Sequence, residues 1–114
     1  MIDINMFTCE GNLSSDAVIQ KNEDGEIKII FLGVCTTVIE NGRKLSDRHS
    51  VVIKGKYLDY VKSDGMVGFL KKGARVRVEG IIHNRFRSPT IPFPSSEIYA
   101  QRITFQEREE PVML

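Results

Sequence analysis

Arg75-Val76-Arg77-Val78-Glu79-Gly80-Ile81-Ile82-His83-Asn84-Arg85-Phe86-Arg87 alternates polar and apolar side chains over most of its length. Side chains on a strand point to opposite faces in turn. One face then carries Arg75, Arg77, Glu79, Ile81, His83, Arg85 and Arg87; the other carries Val76, Val78, Gly80, Ile82, Asn84 and Phe86. The second set suits a core. The first gathers four arginines and a histidine at a spacing where like charges repel, so something negative is expected against them. Two things meet that need: a polyanionic ligand, or acidic residues on adjacent strands.

The flanking chain also reads as strands. Asp24-Gly25 is a turn signal before a β-rich run at residues 27–38, and Asn41-Gly42 separates that run from another at residues 48–56. An earlier mixed segment, residues 4–12, makes a first strand. Residues 57–72 change character: Leu58, Val61, Phe69 and Leu70 line a helical face that Asp64-Gly65 and Gly68 interrupt. A short, broken helix ending at Lys71-Lys72-Gly73 is expected, with cations at its negative end and Gly as its cap. Residues 88–96 hold three of the four prolines and form a loop, because proline removes donors and fixes φ. Residues 98–105 form a last strand. The order is three strands, a helix, two strands. A mainly β OB-fold has this order, a five-stranded Greek-key barrel with one short helix between its third and fourth strands.

Composition bounds the function. The 114 residues suit one domain, and 41% hydrophobic with 27% charged residues excludes a disordered tail. The longest apolar run, residues 29–35, is far short of the ~20 needed to span a bilayer. With no secretion signal visible, a soluble cytoplasmic protein without a membrane partner is expected. The net charge of +1 conceals an asymmetry: residues 71–102 carry seven Lys/Arg against Glu79 and Glu97, a local charge of +5. Residues 1–70 and the last twelve residues each carry a local charge of −2.

The run at residues 48–56 repeats the basic theme, with Arg48, Ser50, Val52, Lys54 and Lys56 on one face and His49, Val51, Ile53 and Gly55 on the other. A single nucleic-acid strand tracks along a groove of this kind. The candidate contacts are Arg48, Lys54, Lys56, Arg75, Arg77, Arg85 and Arg87, with Phe93 as a ring for stacking in the proline-rich loop. Phe86 falls on the apolar face. His83 is read as touching phosphate or solvent, and His49 as a satisfied core residue.

Catalysis finds no constellation here. Neither histidine has a nucleophile or metal spacing, the acidic pairs Glu23-Asp24 and Glu109-Glu110 diverge, and no phosphate loop is present. Cys9 and Cys35 are too few for a structural zinc site and read as small buried thiols. No enzyme activity, cofactor or metal is expected.

Specific residues carry a family resemblance. Glu10-Gly11-Asn12-Leu13 resembles the Gly-Asn-Leu signature of bacterial- and phage-type single-stranded DNA-binding proteins. His49-Ser50-Val51-Val52-Ile53-Lys54-Gly55-Lys56 resembles their third strand. Leu70-Lys71-Lys72-Gly73 with Val76-Arg77-Val78-Glu79-Gly80 resembles their helix end and fourth strand. The likeness covers about residues 4–105. It implies an OB-fold that binds single-stranded DNA without sequence preference, assembles as a homotetramer or homodimer, and serves replication, recombination and repair.

The chain departs from that pattern in having no tryptophan. Val38 and Arg48 stand where two stacking aromatics are usual, Arg87 beside Phe86 near a third, and Lys54 where a phenylalanine is common. Cations have replaced rings, which favours phosphate contact. The expected division is an OB-fold DNA-binding domain at residues 1–106 and a short acidic and apolar tail at residues 107–114. That tail faintly resembles the family's partner-recruiting tip for replication or recombination proteins. A second reading is a primosomal-type OB protein that acts chiefly as a protein-interaction module.

Overall fold

The computed structural model describes residues 1–85 and 95–106, with Arg85 as backbone only. The elements run β1 (Phe7–Leu13), β2 (Val18–Lys21), β3 (Ile27–Glu40), β4 (Arg43–Ile53), α1 (Gly55–Ser63), a 3-10 turn (Met66–Phe69), β5 (Arg75–Arg85) and β6 (Ser95–Phe105). The pairing order is β1-β5-β6-β4-β3-β2, and β1 also pairs with β3. That second pairing closes β1, β3, β4, β6 and β5 into a five-stranded barrel. The OB-fold is thus present, with its helix between β4 and β5 because β2 adds a strand to the count.

The turn chemistry acts as read. Asn41 and Gly42 both take positive φ, 50° and 76°, the geometry a two-residue hairpin needs to match strand twist. They join β3 to β4 over a ladder running from Ile30↔Ile53 to Glu40↔Arg43, so β4 begins five residues earlier than expected. At the other turn, the Asn22 side-chain carbonyl accepts hydrogen bonds from the Asp24 and Glu26 amides, both at 3.0 Å.

β2 was not anticipated. Its four residues are all exposed and show no alternation, so neither burial nor period marks them. It pairs with the lower half of β3 on the same edge that β1 occupies higher up. Closure there depends on Gly11: a β-carbon at this position would strike the Cys35 carbonyl of β3.

Inside the barrel, Leu13, Ile30, Leu32, Val34, Val51, Ile53, Val76, Val78, Ile98 and Ile103 form the core. Each fully buried aliphatic side chain contributes about 1.5–3 kcal/mol relative to exposure. α1 plugs one end with Leu58 and Val61, and the 3-10 turn adds Met66. The helix breaks at Asp64-Gly65 as its sequence indicated, with Gly65 at φ 73°. Among the described residues no helix is long and apolar enough to cross a membrane.

Two core assignments need correction. Ile82, on the apolar face by parity, is 40% exposed although its β6 partner Ile98 is buried, and Asn84, two residues further along the β5–β6 hairpin, is exposed too. Cys35 is exposed on the outer face of β3, whereas Cys9 is half-buried. Burial pushes the Cys9 thiol above its ordinary value.

Candidate nucleic-acid interface

β4 and β6 run parallel and pair at two positions, Val51↔Ile98 and Val52↔Tyr99. Val51 and Ile98 enter the core, so alternation turns Arg48, Ser50 and the buried Val52 to the outer side of β4, and Tyr99 to the outer side of β6. Lys54, in extended backbone just past the end of β4, continues that set. β5 lies on the opposite edge of β6 and brings Ile81 and His83 to the same face.

Tyr99 is the centre of this face. The Lys54 Nζ stands 4.0 Å from its ring centroid. The His83 ring stacks on it with centroids 4.5 Å apart and planes 21° from parallel. Lys54 and His83 reach Tyr99 from strands on its two sides, so the three side chains form a ladder across β4, β6 and β5. A cation over a half-buried ring at the surface contributes about 1 kcal/mol, enough to hold the lysine in place without neutralising it. His83 is exposed and presents its ring to solvent.

Arg48 reaches in the other direction, over β3. A β-carbon at Gly33 would strike its Nε and lie 2.9 Å from its Nη2 and 2.6 Å from the Ser14 hydroxyl. The guanidinium therefore rests on bare glycine backbone. Among the described residues no carboxylate pairs with Arg48. It leaves a planar cation with a free fork of donors, able to meet a phosphate or to stack on a base.

Arg75 and Arg77 stand differently. They occupy the outer face of the opposite end of β5, where Asn12 and Glu10 of β1 are their cross-strand partners. Glu10 bridges both: Oε2 is 3.2 Å from Arg75 Nη2 and Oε1 is 3.1 Å from Arg77 Nη2. Arg75 also donates to the Asn12 side-chain carbonyl at 3.1 Å. Of the two explanations offered for the arginine stripe, acidic neighbours account for this half of it.

The remaining candidates separate. Lys56 is not on the β4 face, because Gly55 at φ 64° turns the chain and places Lys56 in the first turn of α1. Arg85 lies on β5 opposite Ser95, as backbone only. Arg87 and Phe93 lie outside the described residues, as does the tail at residues 107–114. Val38 is 56% exposed near the tip of the β3–β4 hairpin, across from Leu45.

The sequence reading missed Tyr99. Its outward direction was legible from the alternation Ile98-Tyr99-Ala100, but its meeting with Lys54 and His83 depends on register. His49 faces inward as expected, half-buried, with its Nε2 3.0 Å from the Thr36 hydroxyl and its ring edge-on to Phe7 at 5.3 Å. Among the described residues no group of three His, Cys, Asp or Glu side chains is placed to hold a metal ion.

The fold and this face define an OB barrel whose outer surface carries cations beside rings. No protein-family model and no curated protein sequence matches the chain. Among solved structures, a Plasmodium falciparum SSB in complex with ssDNA is similar with a TM-score of 0.74 and 19% identity. The match covers 94% of this chain and 98% of that one. That likeness establishes the shared fold.

Proposed function

We propose that the chain binds single-stranded DNA without sequence preference, protecting it in replication, recombination and repair. The carrying observation is the Lys54–Tyr99–His83 ladder beside the Arg48 guanidinium, which has no carboxylate partner among the described residues. It combines cations for the backbone with the exposed His83 ring for bases, the two elements that single-strand recognition requires. The similar Plasmodium structure, an SSB bound to ssDNA on the same fold, supports this reading. Arg85, Arg87 and Phe93 join this interface in the proposal, and Lys56, Arg75 and Arg77 supply outlying phosphate contacts. The working form is a cytoplasmic homodimer or homotetramer of the bacterial and phage type, non-enzymatic, with residues 1–106 as the binding domain. Residues 107–114 recruit partner proteins.

Fluorescence anisotropy with end-labelled oligo-dT against a matched duplex tests this, an end label being needed because the chain has no tryptophan. Tight single-strand binding with weak duplex binding is expected. Equal, weak binding to both refutes it.

One observation favours the second reading, a primosomal-type module that binds proteins. Glu10 bridges Arg75 and Arg77, which offsets one of the two positive charges at this end of the stripe. Pull-down from nuclease-treated extract separates the readings, since a protein partner survives nuclease and a DNA bridge does not.

A further inference from the structure

Beyond their two paired positions, β4 and β6 diverge toward Arg48 and Ser96. A cavity of about 210 Å³ opens in the gap, lined from four strands. Its apolar part is Phe7 of β1, Ile82 of β5 and Ile98 of β6. The polar part is His49 and Ser50 of β4 and Ser96 of β6, with the Arg48 stem as one wall. Arg48 and Ser50 also line a second depression of about 150 Å³ on the far side, over Gly33.

We propose that the 210 Å³ cavity is a pocket for one pyrimidine base, turned out of a bound single strand and inserted between β4 and β6. The proposal rests on the single-strand reading above and deepens it by naming a base class: at this one position pyrimidine is favoured, while the rest of the strand is held without sequence preference. Size supports it: an apolar cavity of about 150 Å³ holds a benzene ring, so a six-membered base fits here. Chemistry supports it as well. The Phe7 ring and two isoleucines offer contact to a planar ring and to the thymine methyl.

The polar rim is set for a base edge. Ser96 donates its hydroxyl proton to the Asn84 side-chain carbonyl at 3.2 Å, which leaves its oxygen as an acceptor. It suits the N3–H of thymine or the N4–H of cytosine. His49 is held by Thr36 and packed edge-on against Phe7, so the inner wall is already ordered before ligand arrives. Arg48 borders the mouth, where the flanking phosphate of an inserted nucleotide lies. This also explains why Ile82, half-exposed at a core-parity position, is apolar at all.

The test is photo-crosslinking of oligo-dT carrying 5-iodouracil, with the modified residues mapped by mass spectrometry. Insertion predicts crosslinks to Phe7 or His49, which face inward and lie out of reach of a base lying on the Tyr99 face. Ser96→Leu, an exposed position that fills the mouth, is expected to reduce those crosslinks at least ten-fold while leaving crosslinks at Tyr99 or His83. Crosslinks confined to Tyr99 and His83 in the unmodified chain overturn the pocket and leave single-strand binding standing. Persistence of the inner crosslinks in Ser96→Leu also overturns it. Absence of oligo-dT binding by anisotropy refutes both the pocket and the function on which it rests.

Discussion

Lys54 Nζ stands 4.0 Å from the centroid of the Tyr99 ring, across the parallel pair β4–β6. The contact fixes a cation beside a ring whose other neighbour is the stacked His83. Tyr99→Ala removes the support of both. It is expected to weaken oligo-dT binding by about 1–3 kcal/mol, the range for losing one aromatic platform in a single-strand binder. Thermal stability should change little, since the ring lies on the outer face. Anisotropy titration with a parallel melt checks this, and undiminished affinity would remove the ladder from the interface.

Gly33 and Arg48 should behave as one unit. A methyl at Gly33 meets the flexible end of Arg48 and the Ser14 hydroxyl rather than backbone, so Gly33→Ala is expected to fold. The guanidinium must then leave its seat. Gly33→Ala and Arg48→Ala should each weaken binding several-fold, and the double variant should be no weaker than Arg48→Ala alone. Additive losses in such a double-mutant cycle would show that Gly33 acts by another route.

Glu10 holds two arginines that a phosphate would otherwise engage. Glu10→Gln keeps the shape and removes the charge. These side chains are largely solvent-exposed, so the stability change should stay within about 1 kcal/mol. Affinity for oligo-dT should rise, and the salt dependence should steepen by about one unit in log–log slope. Unaltered binding places Arg75 and Arg77 outside the interface.

Alkaline pH should destabilise the fold. Burial raises the Cys9 thiol above its ordinary 9.0, and burial raises the Tyr57 phenol above its ordinary 10.0 against the opposing hydrogen bond from the Ile103 amide. Both groups are therefore held protonated in the folded chain. The associated stability is fully present below pH 9 and is lost as pH climbs through the raised folded values. Melting temperature should hold from pH 7 to 8.5 and decline above 9. A flat profile to pH 10.5 contradicts the burial of these groups.

Much of the fold was legible because its markers are local. Asn41-Gly42 fixes a hairpin by backbone geometry alone, and Val76 and Val78 announce an inward face by period two. What escaped depends on neighbours distant in sequence. The Val18–Lys21 strand buries nothing and is defined by pairing with β3. Ile82 keeps core parity yet is left exposed opposite the buried Ile98. Arg75 and Arg77 look identical to the other stripe arginines until the β1–β5 register sets Glu10 between them. Lys56 follows the strand alternation on paper, but Gly55 ends the strand first. In the candidate site, the outward directions of Arg48 and Lys54 were readable one by one. The contacts of Tyr99 were not, because they come from residues 45 and 16 positions away.

The most direct measurement is the affinity of end-labelled oligo-dT across a salt series, by anisotropy. An interface of about five phosphate contacts predicts a log–log slope of about −3 to −4. Arg48→Gln with Lys54→Gln should flatten it by about one to two units, with a matched duplex bound weakly throughout. A slope near zero, or single strand and duplex bound alike, would contradict the account.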